Sequence, residues 1–211
     1  MHDLTHPLGD ETPVYPGDPP VRLRPHATHG ADGYRVTDLR LGTHAGTHVD
    51  APAHTEPDGA TVDDLPPDRF AFDARLVDLR PLGDREAVGV DDLAAAEVAP
   101  DRDLLVLRTG WAAHWGTDRY AAHPFLTPAA ATWCAERGLD VGLDAPSPDP
   151  RGSEDLPAHR ALLGAGRVLV ENLAVLEGLP RRFRLHAYPL PLAGADGSPV
   201  RAIAEPSDAD R

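Results

Sequence analysis

The sequence predicts a single α/β domain built on a mixed sheet with long ordered loops, and three observations predict it. The 211 residues are enough to enclose one hydrophobic core. Short apolar runs such as Leu104 to Leu107 and Leu139 to Leu143 lie on either side of a capped helical stretch, Pro128 to Arg137, which is the alternation of an α/β fold. A globular composition carrying 23 Pro and 19 Gly then requires many turns and stiff connections.

In chain order, Leu4 to Leu8 reads as a first strand. The run 11–20, Glu-Thr-Pro-Val-Tyr-Pro-Gly-Asp-Pro-Pro, reads as a proline-pinned loop that presents Tyr15 as a candidate pocket residue. His26 and His29 fall in a polar, Gly-containing loop and are expected in solvent. Tyr34 to Leu41 alternates as a strand with one buried face would. Thr55 to Pro67 is acidic and turn-rich, Arg75 to Leu79 a strand, and Asp91 to Val98 a short helix with Asp91 as its cap. Leu104 to Leu107 is wholly apolar, as a strand buried on both faces is.

Trp111 and Trp115 read as packing residues. Thr127 caps the helix from Pro128, and Gly138 stops it. Leu139 to Leu143 runs into Asp-Ala-Pro-Ser-Pro-Asp-Pro, at the kind of strand end where sites are built. Leu156 to Leu163 is a helix bearing His159, and Val168 to Val170 a strand delivering Glu171 and Asn172. Spacing alone leaves His159 and Glu171 either as surface residues or as two groups facing one cavity. Arg184 to Leu192 and Val200 to Ile203 close the domain, taken as residues 1–204. A polar tail, 205–211, is expected to fray.

Composition narrows the function. With 34 acidic against 20 basic residues and a net charge of −14, neither nucleic acid nor an anionic membrane is an expected partner. Every basic residue is arginine, which excludes lysine Schiff-base chemistry. The single cysteine, Cys134, allows no intrachain disulfide or thiolate-rich metal site. No basic-plus-apolar leader opens the chain and no apolar run reaches membrane-spanning length, so a cytoplasmic location is expected.

The chemistry concentrates in Leu-Gly-Thr-His-Ala-Gly-Thr-His-Val-Asp-Ala-Pro-Ala-His, residues 41–54. Eleven residues supply His44, His48, Asp50 and His54 among small neighbours, which is how a chain brings metal ligands together without crowding. With eleven histidines, about 0.5 His pairs at i,i+4 arise by chance; adding Asp50 and His54 lowers this to on the order of a few in a thousand. The four residues share parity, so an extended segment would send them to one face, and Pro52 opposes a through-running helix. The expectation is a strand end carrying the first histidines and a turn carrying the rest.

This motif closely resembles the signature of the cyclase-family metal hydrolases, and the chain is most similar to the bacterial kynurenine formamidases among them. Asp3 to Leu8, Thr12 to Asp18, Leu107 to Trp111, Asp144 to Pro150, His159 to Gly164, Glu171 to Leu173 and Gly194 to Arg201 extend the resemblance over nearly the whole chain. It implies a swivelling β/β/α domain that forms homodimers and holds two divalent metal ions. Zinc is the implied metal, and imidazole with carboxylate also suits manganese or iron.

By matched position, His44, His48 and Asp50 resemble ligands of one metal and His159 a ligand of the second. Asp50 and Glu171 resemble carboxylates shared between both, and His54 the general acid/base. Tyr15 stands where the formamidases typically carry a tryptophan against the substrate ring. The implied reaction is hydrolysis of N-formyl-L-kynurenine, a small-molecule substrate. The alternative is a relative acting on another amide, lactam or lactone, or a cyclase or dehydratase of secondary metabolism.

Overall fold

A computed structural model describes residues 1–95 and 103–206. In chain order its strands are β1 (His2–Asp3), β2 (Arg22–Ala27), β3 (Val36–Arg40), β4 (His48–Asp50), β5 (Ala71–Asp78), β6 (Ala87–Val88), β7 (Leu104–Arg108), β8 (Phe125–Leu126), β9 (Asp140–Leu143), β10 (Leu169–Glu171), β11 (Arg182–His186), β12 (Gly197–Pro199) and β13 (Ile203–Pro206). Its helices are α1 (His29–Asp32), α2 (Val90–Ala94), α3 (Pro128–Glu136) and α4 (Pro157–Leu163). Among the described residues, nine strands form one mixed sheet in the order β1-β13-β11-β5-β7-β9-β10-β4-β12, with β5-β7-β9-β10 parallel at its centre.

The middle of β7, Leu104 to Leu107, is apolar and buried because both sheet faces are covered there. Along β7, Leu104 and Val106 join one core with Phe70, Phe72, Phe183 and Leu185, while Leu105 and Leu107 point the other way. There they meet Trp111, Leu126, Cys134 and Leu162, beneath α3 and α4. Each Leu or Phe buried in this way contributes about 1.5–3 kcal/mol. The α3 boundaries follow their signals: Thr127 Oγ1 accepts from the Ala130 amide at 3.2 Å, and Gly138 takes φ 69° just past the end. Cys134 lies in this apolar layer, and burial pushes its thiol up to about 12.

Several sequence expectations are corrected. The strand expected at Leu4 to Leu8 is β1, two residues earlier, with Thr5 retained only as a bridge to Leu173. The helix expected from Asp91 starts at Val90, where the Asp92 carboxylate accepts from the Gly89 amide; the end of that expectation, 96–98, lies outside the described residues. The expected half-buried strand from Tyr34 is β3, all five of whose residues are exposed. It pairs with β2 in a separate two-stranded sheet, and among the described residues no strand of the large sheet pairs with it. Glu205 and Pro206, expected in the frayed tail, pair in β13 with Arg184 and Phe183. Residues 207–211 lie outside the described residues.

Candidate metal centre

The 41–54 motif lies across a chain reversal, not along one strand. Gly42 to Thr47 turn with Gly46 at φ 66°, a left-handed conformation that favours glycine, and a Cβ there would also press on the Leu8 methyl. His44 therefore sits in the turn before β4, His48 and Asp50 share one face of β4, and His54 ends a short 3₁₀ turn, Pro52–His54. The parity argument holds for His48 and Asp50 and fails for His44, because the reversal at Gly46 resets the alternation.

Sheet pairing supplies the remaining groups. Strand β4 lies between β10 and β12, with Glu171 opposite His48 and Gly197 opposite Asp50. A Cβ on Gly197 would come within 2.8 Å of His44 Cε1, so this glycine makes room for the imidazole. His159 enters from α4, whose first turn is held by Asp149: its carboxylate accepts from the Ala158 and His159 amides at 2.8 and 3.0 Å and from His159 Nδ1 at 2.7 Å. That fixes the ring with Nε2 pointing inward.

The six residues singled out from the sequence converge. His48 Nδ1 donates to the Gly46 carbonyl at 2.8 Å, leaving Nε2 3.2 Å from Asp50 Oδ1 and 3.4 Å from Glu171 Oε2. His159 Nε2 lies 3.3 Å from Glu171 Oε1 and 3.6 Å from Asp50 Oδ2. His44 sends Nδ1 to Asp50 at 2.7 Å and Nε2 to Asp196 at 2.9 Å, and the His54 ring centre stands 4.0 Å from that of His44.

His48 Nε2, Asp50 Oδ2 and Glu171 Oε1 are buried without a hydrogen bond. Polar atoms so placed are costly unless a cation joins them. Two ligands about 2.0–2.2 Å from one tetrahedral cation stand about 3.3 Å apart, which matches the separations around Glu171. Three sets of donor atoms lie within 4.8 Å of one another: His44, His48 and Asp50; His44, His54 and Asp196; Asp50, His54 and His159. Oxygen and imidazole donors without thiolate suit zinc or manganese.

The electrostatics have the same origin. Burial opposes charging of His44 and His48, but Asp50 with Asp196 and Glu171 outweighs it, raising the two imidazoles to about 9 and about 10. Burial likewise opposes His159, which Asp149, Asp50 and Glu171 nevertheless raise well above the ordinary histidine value. His44 and His54 hold Asp196 well below the usual carboxylate range.

The cluster forms the floor of a cavity of about 870 Å³, walled by Tyr15, Pro16, Tyr120, Pro146 and Leu156. Tyr15 is half exposed, and its hydroxyl accepts from the Gly152 amide at 3.4 Å. Within this lining, Tyr120 donates to Asn172 Oδ1 at 2.7 Å and Asn172 Nδ2 donates to the Gly46 carbonyl at 2.9 Å. Asn172 holds φ 56°, a conformation these bonds maintain.

Sequence reasoning missed Asp149, Asp196 and His123. Asp149 stands ten residues before His159, just ahead of a Leu-Pro helix start, which is a usable signal. Asp196 comes into place only through β12 pairing. His123 is buried in the cavity wall, its Nδ1 donating to the Pro124 carbonyl at 3.0 Å, and burial lowers its pKa. The Arg181, Arg182 and Arg184 run lies away from the site, with Arg184 paired to Asp73 at 3.1 Å.

The Cyclase family model matches residues 2–150. The chain belongs to this family. Over 207 residues the cyclase-family chain is 38% identical to a kynurenine formamidase of Salinibacter ruber, covering 95% of each sequence. It is 34% identical over 202 residues to a kynurenine formamidase of Geobacillus thermodenitrificans, covering 95% of this chain and 94% of that one. In three dimensions this cyclase-family domain superposes on isatin hydrolase A from Labrenzia aggregata, bound to benzyl benzoate, with a TM-score of 0.88 at 27% identity, over 98% of this chain and 93% of that one.

Proposed function

We propose that this protein is a metal-dependent hydrolase of aryl formamides that converts N-formyl-L-kynurenine to L-kynurenine and formate. The observation that carries the reading is the set of buried, unsatisfied donor atoms on His48, Asp50 and Glu171, facing one another at the base of a cavity wide enough for an aryl substrate. Relatives named kynurenine formamidase at 34–38% identity over nearly the full length support it.

In this reading His44, His48 and Asp50 would hold one divalent cation and His159 a second, with Asp50 and Glu171 shared between them; zinc is the expected metal and manganese the alternative. Divalent cations so held lower the pKa of water towards about 7 and polarise an amide carbonyl. His54 Nδ1 faces Asp196 Oδ2 at 3.3 Å, which leaves Nε2 to take the proton from the attacking water and pass it to the departing aryl nitrogen. Asp196, itself receiving Thr43 Oγ1 at 3.0 Å, keeps that ring oriented. Tyr15 and the prolines around it flank the aryl group and exclude water from it.

The test is hydrolysis of N-formyl-L-kynurenine by metal-loaded protein, with His54→Ala as control. Turnover that falls by about 10²–10⁴-fold in the variant, with metal content retained, is the expected result. A variant stripped of metal would make His54 a ligand instead. The likeness to isatin hydrolase A favours a second reading, hydrolytic opening of a cyclic amide. Isatin turnover exceeding formamide turnover in the same assay would put that reading first.

The same proposal includes a homodimer and a cytoplasmic location. Among the described residues no helix is long and apolar enough to cross a membrane. The β2–β3 ribbon exposes Leu23, Val36 and Leu39, the connection between its strands exposes Tyr34, and an isolated two-stranded ribbon is marginal in water. A second copy covering it accounts for those side chains. Light scattering that returns the mass of two chains supports this, and a monomer at micromolar concentration removes it.

A further inference from the structure

The cavity is chemically two-ended. Its floor is the buried His and carboxylate cluster, whereas its mouth carries exposed charged side chains, Arg151, Asp18 and Asp118. Between them lie Tyr15, Tyr120, Pro146 and Leu156, an apolar middle suited to an aromatic ring. Arg151 supplies the one guanidinium in the lining, and among the described residues it makes no hydrogen bond or ion pair. That sets it apart in a strongly acidic chain, where Arg69, Arg80, Arg108, Arg119 and Arg184 all sit on carboxylates. Neither Asp18 nor Asp118 engages it, although both line the same space.

The backbone beneath Arg151 is held. Asp149, two residues earlier, is fixed by three hydrogen bonds to the first turn of α4, and Pro150 intervenes. Ser153 N donates to the Pro150 carbonyl at 3.0 Å, and the Gly152 amide reaches the Tyr15 hydroxyl. The segment that orients His159 at the floor therefore also carries the guanidinium at the mouth. The two ends of the cavity are tied to one rigid element, which suits a ligand with its reacting group at one end and its charge at the other.

We propose that Arg151 binds the carboxylate of the substrate, with Asp18 and Asp118 facing the neighbouring ammonium, so that the site selects aryl formamides bearing an α-amino-acid head over neutral amides and lactams. This rests on the formamide reading of the floor. A guanidinium grips a carboxylate through two parallel N–H···O bonds, and an ammonium beside it meets the acidic rim. A compact neutral lactam gains nothing from either group.

The test compares wild type with Arg151→Gln in two assays. In the first, calorimetry measures equilibrium binding of L-kynurenine and of 2-aminoacetophenone, which keeps the aryl ketone but lacks the amino-acid head. Wild type is expected to prefer L-kynurenine by about 10–100-fold, and Arg151→Gln to erase the preference, with Arg151→Lys recovering part of it. In the second, KM for N-formyl-L-kynurenine rises in Arg151→Gln with kcat little changed, and the loss in kcat/KM exceeds that for formanilide by a similar factor.

Equal binding of the two probes by wild type, or a preference that survives in Arg151→Gln, overturns the proposal. Arg151-dependent binding of L-kynurenine without turnover of any formamide would leave the carboxylate site standing and remove the formamide reading. Turnover indifferent to Arg151 would do the reverse.

Discussion

Glu171 and His48 stand directly opposite each other on antiparallel β10 and β4, with His48 Nε2 3.4 Å from Glu171 Oε2. The same carboxylate's other oxygen lies 3.3 Å from His159 Nε2, so one side chain joins a histidine on a strand to a histidine on a helix. Removing it leaves Asp50 as the carboxylate that still faces both imidazoles. Glu171→Ala is expected to lose at least one equivalent of metal by elemental analysis and to slow hydrolysis by about 100-fold or more, since several kcal/mol of Lewis-acid stabilisation depend on the cations. Full metal occupancy in the variant would take Glu171 out of the ligand set.

Asp149 touches the site only through His159, so its loss should weaken the metal without abolishing it. Asp149→Ala is expected to lower metal affinity by about 10–100-fold in a chelator competition, because the Nδ1 partner that fixes the ligating ring is gone. The variant also leaves the Ala158 and His159 amides uncapped, and thermal stability falls by about 0.5–2 kcal/mol. Unchanged affinity alongside reduced stability would confine Asp149 to capping.

Gly46 is fixed by its backbone conformation. Gly46→Ala forces a side chain into the left-handed region, a cost of about 1–2 kcal/mol read from the urea midpoint, with the Leu8 methyl free to move aside. A midpoint within error of wild type would mean that the turn relaxes freely.

Asp103 supplies a pH-dependent test away from the site. Burial, with Asp140 and Asp73 nearby, raises its pKa to about 6 from an ordinary value near 3.8. The folded chain therefore holds this proton more tightly than the unfolded one, so the residue leaves stability untouched below about pH 4 and diminishes it as pH rises towards 6 and beyond. Asp103→Asn is expected to raise the melting temperature at pH 7.5 and to change it little at pH 4. An equal shift at both pH values would show that charge is not the cause.

What the sequence disclosed was mostly local. The spacing of His44, His48, Asp50 and His54 marked the site, and Thr127, Pro128 and Gly138 bounded α3 to within one residue, because capping and steric rules act over a few positions. The apolar run Leu104 to Leu107 announced its own burial. Reading failed where the answer lay elsewhere in the chain. Alternation in β3 suggested a buried face, but the strand pairs with β2 outside the large sheet and all its residues are exposed. Asp196 carries no local mark, since its place beside His44 and His54 comes from β12 pairing with β4. His159 and Glu171 were undecided on spacing alone for the same reason: a helix and a strand end meet only through the sheet order.

The position of β4 between β10 and β12 has a kinetic consequence. Two of the ligand candidates appear early in synthesis, on a three-residue strand that has no partner until more than a hundred further residues have been made. Non-local pairing of this kind forms slowly, because loop closure must precede the contacts that reward it. A nascent chain that has not yet released β10 and β12 from the ribosome thus carries His44, His48 and Asp50 without Glu171 or Asp196 beside them. The groups that β10 and β12 bring to the site join it only when the sheet closes around β4.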